Sequence, residues 1–242
     1  MTLEILFVAL GAFVGGFVNG LTGFGLALTA HAFWLHVIGP TLAAPLATVC
    51  AVMSQMQTLP RIWRDLNVRP LIPFIAGGLA GVPLGTGLLT RIDPQTFKAV
   101  MGLVLVCYSG TMLFLKPAFR STWGGRAADG VVGLASGFLG GLGGISGVLP
   151  AVWAAFRGWT KVESRGVFQA FNVTILTTAL ISFAVAGFFT VKLGWLILIS
   201  APATLIGVNA GWQVYRRLSD RSYHTVVLTL LLFAGATLLA TS

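Results

Sequence analysis

Apolar residues gather along this chain into eight long runs, roughly 3–38, 41–59, 71–89, 96–115, 130–156, 164–188, 194–214 and 223–240. Short polar stretches, most of them carrying Arg, separate the runs. A helix needs about 20 apolar residues to cross the hydrocarbon core of a bilayer. The alternating segments of about ten residues that mark a membrane β-barrel are missing. The pattern therefore predicts an all-α, polytopic transmembrane helix bundle. The fifth run carries GGLGG near its middle, and Gly is a poor residue for a helix interior. Two half-helices of about twelve residues, returning to the side they entered from, fit that run. The first run carries VNGLTGFG and is expected to break and return in the same way.

Composition sharpens the picture. Of the 242 residues 56% are hydrophobic and 9% charged, where a soluble domain carries about 25% charged residues. The excess of 15 Lys and Arg over 6 Asp and Glu does not point to nucleic acid, because the basic residues lie between apolar runs and build no soluble basic face. No Lys or Arg precedes the first run, so it reads as a membrane element and not as a cleaved signal peptide. Cys50 and Cys107 both fall inside apolar runs and read as buried packing residues. The tryptophans mostly flank run ends and read as interface anchors.

The chain repeats itself. At an offset of 121, GFVNGLTG from Gly16 lies over GFLGGLGG from Gly137. At an offset of 126, RIDPQTFK from Arg91 lies over RLSDRSYH from Arg217, and Gly81 and Gly85 lie over Gly207 and Gly211. A five-residue length change separates the two matched blocks. The division is a first repeat over 1–116, a linker over 117–128 and a second repeat over 129–242. Repeats of this kind build many secondary transporters.

Positive loops mark the cytoplasmic side of a membrane protein. The loops at 60–70, 116–126, 157–165 and 216–221 hold three basic residues each, 91–98 holds two, and Lys192 stands alone. If the fifth run turns back, the basic residues divide twelve to three. If every run crosses once, they show no bias. With a re-entrant hairpin and three crossing helices in each half, the repeats are inverted and both termini face away from the cytoplasm. The expected location is the cell (inner) membrane, as a multi-pass protein.

A broken helix exposes backbone N–H groups and a positive dipole end where its second half begins. In transporters, anionic groups sit against such N-termini. The candidate substrate-binding residues are Asn19, Gly20, Thr22, Gly23, Phe24 and Gly25 in the first break. In the second they are Gly140, Gly141, Gly143, Gly144, Ile145 and Ser146. The competing reading is that these glycines serve only close helix crossing.

At these residues the chain resembles the sulfite exporter TauE/SafE family. GGFVNGLTGFG and GFLGGLGGISGVLP carry the resemblance, and RIDPQTFKAVMGLVLV is similar to that family's last loop and helix in a repeat. The resemblance covers nearly the whole chain and implies transport of small sulfur-containing or organic anions such as sulfite, sulfoacetate or thiosulfate. The second copy departs from the first, with Gly140 where Asn19 stands and Gly143 where Thr22 stands.

Other polar residues in apolar runs are candidates for the pathway or for coupling, since polar groups at membrane depth usually face a bundle interior or a cavity. They are His31, Gln55, Arg165, Gln169, Asn172 and Asn209. Gln169 and Asn172 are three apart and share a helix face. His31 can bind the anion, carry a proton or serve packing alone. Arg165 can hold an oxyanion in two parallel hydrogen bonds or snorkel to headgroups. No acidic residue sits in the middle of a run, which argues against cation transport. The expected partners are a small anion and the lipid bilayer, with a homodimer left open, and no cofactor or metal is expected. A passive anion channel built on the same breaks is the alternative. An intramembrane enzyme is disfavoured: the chain has no GxSxG elbow, and His31, His36 and His224 are not at metal spacing with carboxylates. A reporter fused at Ser242 is expected to report the non-cytoplasmic side, and a cytoplasmic signal overturns the inverted arrangement.

Overall fold

The structure is a computed structural model that describes residues 2–61, 71–114, 125–157 and 161–216, together with 229, 232, 233, 235, 236 and 238–240. Among the described residues there are helices and no strand. In the first half the elements are α1 (Thr2–Thr22), α2 (Leu26–Trp34), α3 (Pro40–Thr58, with a further 3-10 turn Leu59–Arg61), α4 (Ile72–Leu89) and α5 (Pro94–Phe114). In the second half they are α6 (Gly125–Gly143), α7 (Val148–Arg157), α8 (Lys161–Val185) and α9 (Val191–Tyr215). The described residues from 229 to 240 are helical. α1, α4 and α9 are long and apolar enough to cross a membrane.

Helix ends follow local chemistry. Asp93 accepts from the N–H groups of Gln95 and Thr96 at 3.0 and 2.9 Å, at the start of α5. Thr96 and these amides hold the exposed Asp93 carboxyl below its ordinary pKa. Thr190 caps α9 through Leu193 N–H at 3.2 Å. α6 begins at Gly125, so part of the expected linker 117–128 is already helix. Arg126, Ala127 and Ala128 are good helix formers, and Asp129 favours a first turn.

Both Gly-rich runs break, but later than their midpoints and into unequal arms. α1 has 21 residues and α2 nine, about 32 and 14 Å at 1.5 Å per residue. α6 and α7 have 19 and ten residues, where two arms of about twelve were expected. The glycines from Gly140 to Gly143 stay helical, and the chain turns at Gly144, with φ +71. The corresponding turn in the first half is at Gly23 and Gly25, with φ +82 and +95. Those backbone angles are open to Gly at little cost.

Packing explains why the earlier glycines remain in helix. α1 runs parallel along α9. A Cβ on Gly16 or Gly20 would overlap the carbonyl oxygens of Thr204 and Val208, and one on Gly207 or Gly211 those of Phe13 and Phe17. α4 runs parallel along α6 in the same manner. A Cβ on Gly137 or Gly141 would overlap the carbonyls of Gly78 and Val82, and one on Gly81 or Gly85 those of Leu134 and Phe138. These are the same contacts at the offsets 121 and 126: Gly16 on Thr204 corresponds to Gly137 on Gly78, and Gly20 on Val208 to Gly141 on Val82. Each half thus lends its first helix to the other half. Close backbone approach of this kind is how helices associate where lipid removes the hydrophobic drive between them. It offsets the roughly 1 kcal/mol that each interior Gly costs relative to Ala.

Each hairpin is fastened near its base by a tryptophan. Trp34 on α2 donates to the Val8 carbonyl at 3.0 Å, and Trp153 on α7 donates to the Asp129 carboxylate at 2.8 Å. Arg157 joins the second pair, 3.0 Å from Asp129. Trp34 is therefore no interface anchor: it is fully buried, with its indole N–H satisfied inside the protein. Cys107 is exposed where a buried residue was expected, while Cys50 is buried against Ser200.

Gly20→Leu and Gly141→Leu are each expected to lower the melting temperature in detergent by several degrees, since overpacking costs about 1–3 kcal/mol. Gly87→Ala, where a Cβ meets nothing within 4 Å, is expected to leave it unchanged or raise it. Equal effects at all three positions would remove the packing role.

Candidate functional site

The two breaks meet. Gly147 stands against Phe24, with the place of a Cβ only 2.7 Å from the Phe24 Cβ, and Gly144 stands against Thr48, at 2.7 Å from its Oγ1. His31 reaches across from α2, with Nε2 2.8 Å from the Gly143 carbonyl oxygen. A carbonyl only accepts, so Nε2 carries the proton and Nδ1 is a bare acceptor. His31 is fully buried, and its Nδ1 has no partner.

Between the breaks lies a small cavity. The first half lines it with Asn19, residues 24–28, Ala51 and Gln55, and the second with residues 144–148, Asn172 and Leu176. α2 starts on this cavity. Its first helical bond joins Thr29 N–H to the Gly25 carbonyl, and no side chain caps it. The N–H groups of Leu26, Ala27 and Leu28 therefore have no carbonyl of a preceding turn to reach. α7 starts there too, with Ala151 N–H bonded to the Gly147 carbonyl. Pro150 lacks an N–H, which leaves the second tip fewer donors than the first. Two positive dipole ends thus converge. Among the described residues no Lys, Arg, Asp or Glu lines the space.

Side chains fix the breaks in place. Asn19 donates to Ser54 on α3. Gln55 donates from Nε2 to the Gly23 carbonyl at 2.9 Å, and its Oε1 is buried without a partner. The Thr22 hydroxyl accepts from Phe24 N–H at 3.1 Å and lies 2.9 Å from the Val18 carbonyl. Ser146 donates to Asn172 Oδ1 at 2.7 Å. The turns match at the offset of 121, with Gly23 N–H on the Asn19 carbonyl at 2.7 Å and Gly144 N–H on the Gly140 carbonyl at 2.8 Å.

The candidates from the sequence divide by place. Asn19, Phe24, Gly25, Gly144, Ile145 and Ser146 line the cavity, and so do Gln55 and Asn172. Gly20 and Gly141 lie in the helix crossings described above. Thr22, Gly23, Gly140 and Gly143 belong to the turns behind the lining. Gln169 is buried and donates to Thr58, off the cavity. Asn209 lies on the exposed side of α9. Arg165 belongs to α8, and its side chain lies outside the described residues. Leu26, Ala27, Leu28, Gly147 and Val148, which follow directly on the two predicted breaks, were missed. Ala51 and Leu176 were missed as well, yet the repeat contains their signal. At the offset of 121, Ala51 lies over Asn172 and Gln55 over Leu176. The halves present the same two wall positions with the polar one exchanged.

The His31 contact links the two halves and can be tested. His31→Ala leaves the buried Gly143 carbonyl unpaired, a cost of about 1–3 kcal/mol, and is expected to lower the melting temperature by several degrees. His31→Gln keeps an N–H donor and should recover much of the loss. Equal losses in the two variants would mean that the hydrogen bond is not what matters.

A family profile described as "Sulfite exporter TauE/SafE" matches residues 7–238. Neither a curated protein nor a solved structure matches the chain. The match takes in both glycine breaks and nearly the full sequence, so this membrane protein belongs to the sulfite exporter TauE/SafE family, a family of transporters.

Proposed function

We propose that the chain is a multi-pass secondary transporter of the cell (inner) membrane, moving small sulfur-containing or organic anions by alternating access. In this reading 1–116 and 129–242 are inverted repeats, and the anion sits between half-helix N-termini near the midplane. One observation carries it: two uncapped or Gly-capped helix starts, one from each half, open on a single cavity that, among the described residues, has no acidic side chain. Backbone N–H groups hold an oxyanion without a fixed cation, as at other helix N-termini. Both breaks come from one chain, so the proposed site is complete without a second copy.

Mechanically, α1 with α9 and α4 with α6 form two stiff pairs in backbone-to-backbone contact. The tips touch through few side chains, among them His31, Thr48 and Phe24. Rocking one pair against the other would open the cavity first to one side and then to the other, the motion expected of repeat-built carriers. No GxxxxGK[ST] occurs in the sequence, so the drive is an ion or substrate gradient.

The test is thermal unfolding of the detergent-purified protein with sulfite, sulfate, thiosulfate, sulfoacetate and small carboxylates. Binding at 100 times Kd stabilises by about 2.7 kcal/mol, a shift of a few degrees. Gly144→Leu, at φ +71 and against Thr48, is expected to abolish the shift. An unchanged shift in that variant removes the site, and single-channel currents far above a carrier's turnover would make the protein a channel.

A further inference from the structure

The charge and hydrogen-bond inventory of the cavity restricts what it can hold. Two helix N-termini supply about half an elementary charge each. The described lining adds no Lys or Arg. The positive potential therefore matches one negative charge and leaves a second uncompensated. In a protein interior such a charge is strongly disfavoured.

The second observation is Gln55. It is 1% exposed and lines the cavity. Its amide orientation follows from chemistry, since the atom facing the Gly23 carbonyl must be the nitrogen. The oxygen is thereby left as an acceptor, and it has no partner. A buried polar group without a partner is costly, so the site gains from a ligand that donates a hydrogen bond. A fully deprotonated oxyanion has nothing to donate. Elsewhere on the wall, Asn172 Oδ1 is already taken by Ser146, so Asn172 Nδ2 adds N–H donors to those of the backbone, and neither offers an acceptor.

We infer that the site selects a singly charged oxyanion that keeps one O–H, donating that hydrogen to Gln55 Oε1 while its other oxygens accept from the first turns of α2 and α7. The inference rests on the anion site proposed above and narrows it. Hydrogen sulfite fits; the sulfite, sulfate and thiosulfate dianions do not. The protonated form of the substrate is then the transported one, and one proton travels with each anion without a titrating carboxylate in the protein.

The experiment measures binding of sulfite to the purified full chain on either side of the second ionisation of sulfurous acid, near neutral pH. Methanesulfonate, a monoanion with no O–H, and sulfate, a dianion, are run beside it. Among the described residues the buried titratable groups around the cavity are His31, Cys50 and Tyr108, none of which lines it. Methanesulfonate reports any effect of their titration. The expected apparent Kd for total sulfite weakens about tenfold per pH unit above the ionisation, as the competent fraction falls. Methanesulfonate stays flat and sulfate binds at least tenfold more weakly than hydrogen sulfite. In Gln55→Met, the preference for hydrogen sulfite over methanesulfonate is expected to fall about tenfold, the value of one charge-assisted hydrogen bond. Taking the ratio cancels general damage from the freed Gly23 carbonyl. If that variant does not fold, the wild-type pH series decides. Sulfite affinity that is level or rises with pH, while the anions still bind, overturns the inference and leaves the site standing. Silence from every anion removes both.

Discussion

Everything in this fold depends on two helix crossings at which backbones touch. In lipid, neighbouring helices gain nothing from burying apolar surface, because the tails are as apolar as the side chains. Contact must come from shape. The rows Gly16–Gly20 against α9 and Gly137–Gly141 against α4 let main chains meet where any Cβ would collide with a carbonyl. Both crossings join an early helix of one half to a late helix of the other. The halves are interlocked, and the short helices α2 and α7 hang inside the frame so formed.

That frame fixes the site. Because α1 and α6 are held along their lengths, their ends are set, and the glycine turns that follow deliver α2 and α7 to a common point. The long arms overrun the position at which a symmetric hairpin would turn, so the tips pass one another. His31 on α2 meets Gly143 of the other half, while Phe24 meets Gly147. Short polar side chains on α3 and α8 then pin the turns: Ser54 and Gln55 on the first, Asn172 on the second. Lining polarity is divided unequally between halves that are otherwise matched. Under the proposed function, a pseudo-symmetric cradle of this kind would suit an asymmetric ligand.

The glycines serve two purposes that composition cannot separate. Gly20 and Gly141 belong to the crossings, whereas Gly23, Gly25 and Gly144 make the turns. A reading by motif treats them as one cluster, because they are adjacent in sequence and identical in chemistry. What distinguishes them is whether a backbone from the other half lies against them, and that is a fact about residues distant in sequence, Val208 for Gly20 and Val82 for Gly141.

The sequence by itself determined the membrane class, the order of the helices, the presence of two breaks and the matching of the halves. These follow from apolar run length, glycine content and self-similarity, all of which are local or periodic properties. It also named Asn19, Phe24, Gly25, Gln55, Ser146 and Asn172, since polar or Gly residues stand out in apolar runs. Only the tertiary structure decided which candidates share a cavity, that Gln169 bonds to Thr58 away from it, and that Trp34 is buried on Val8. It also decided where each break falls. Glycine permits a turn anywhere between Gly140 and Gly144, and the contact of α6 with α4 keeps the earlier ones helical. The turn occurs at Gly144, where that contact ends.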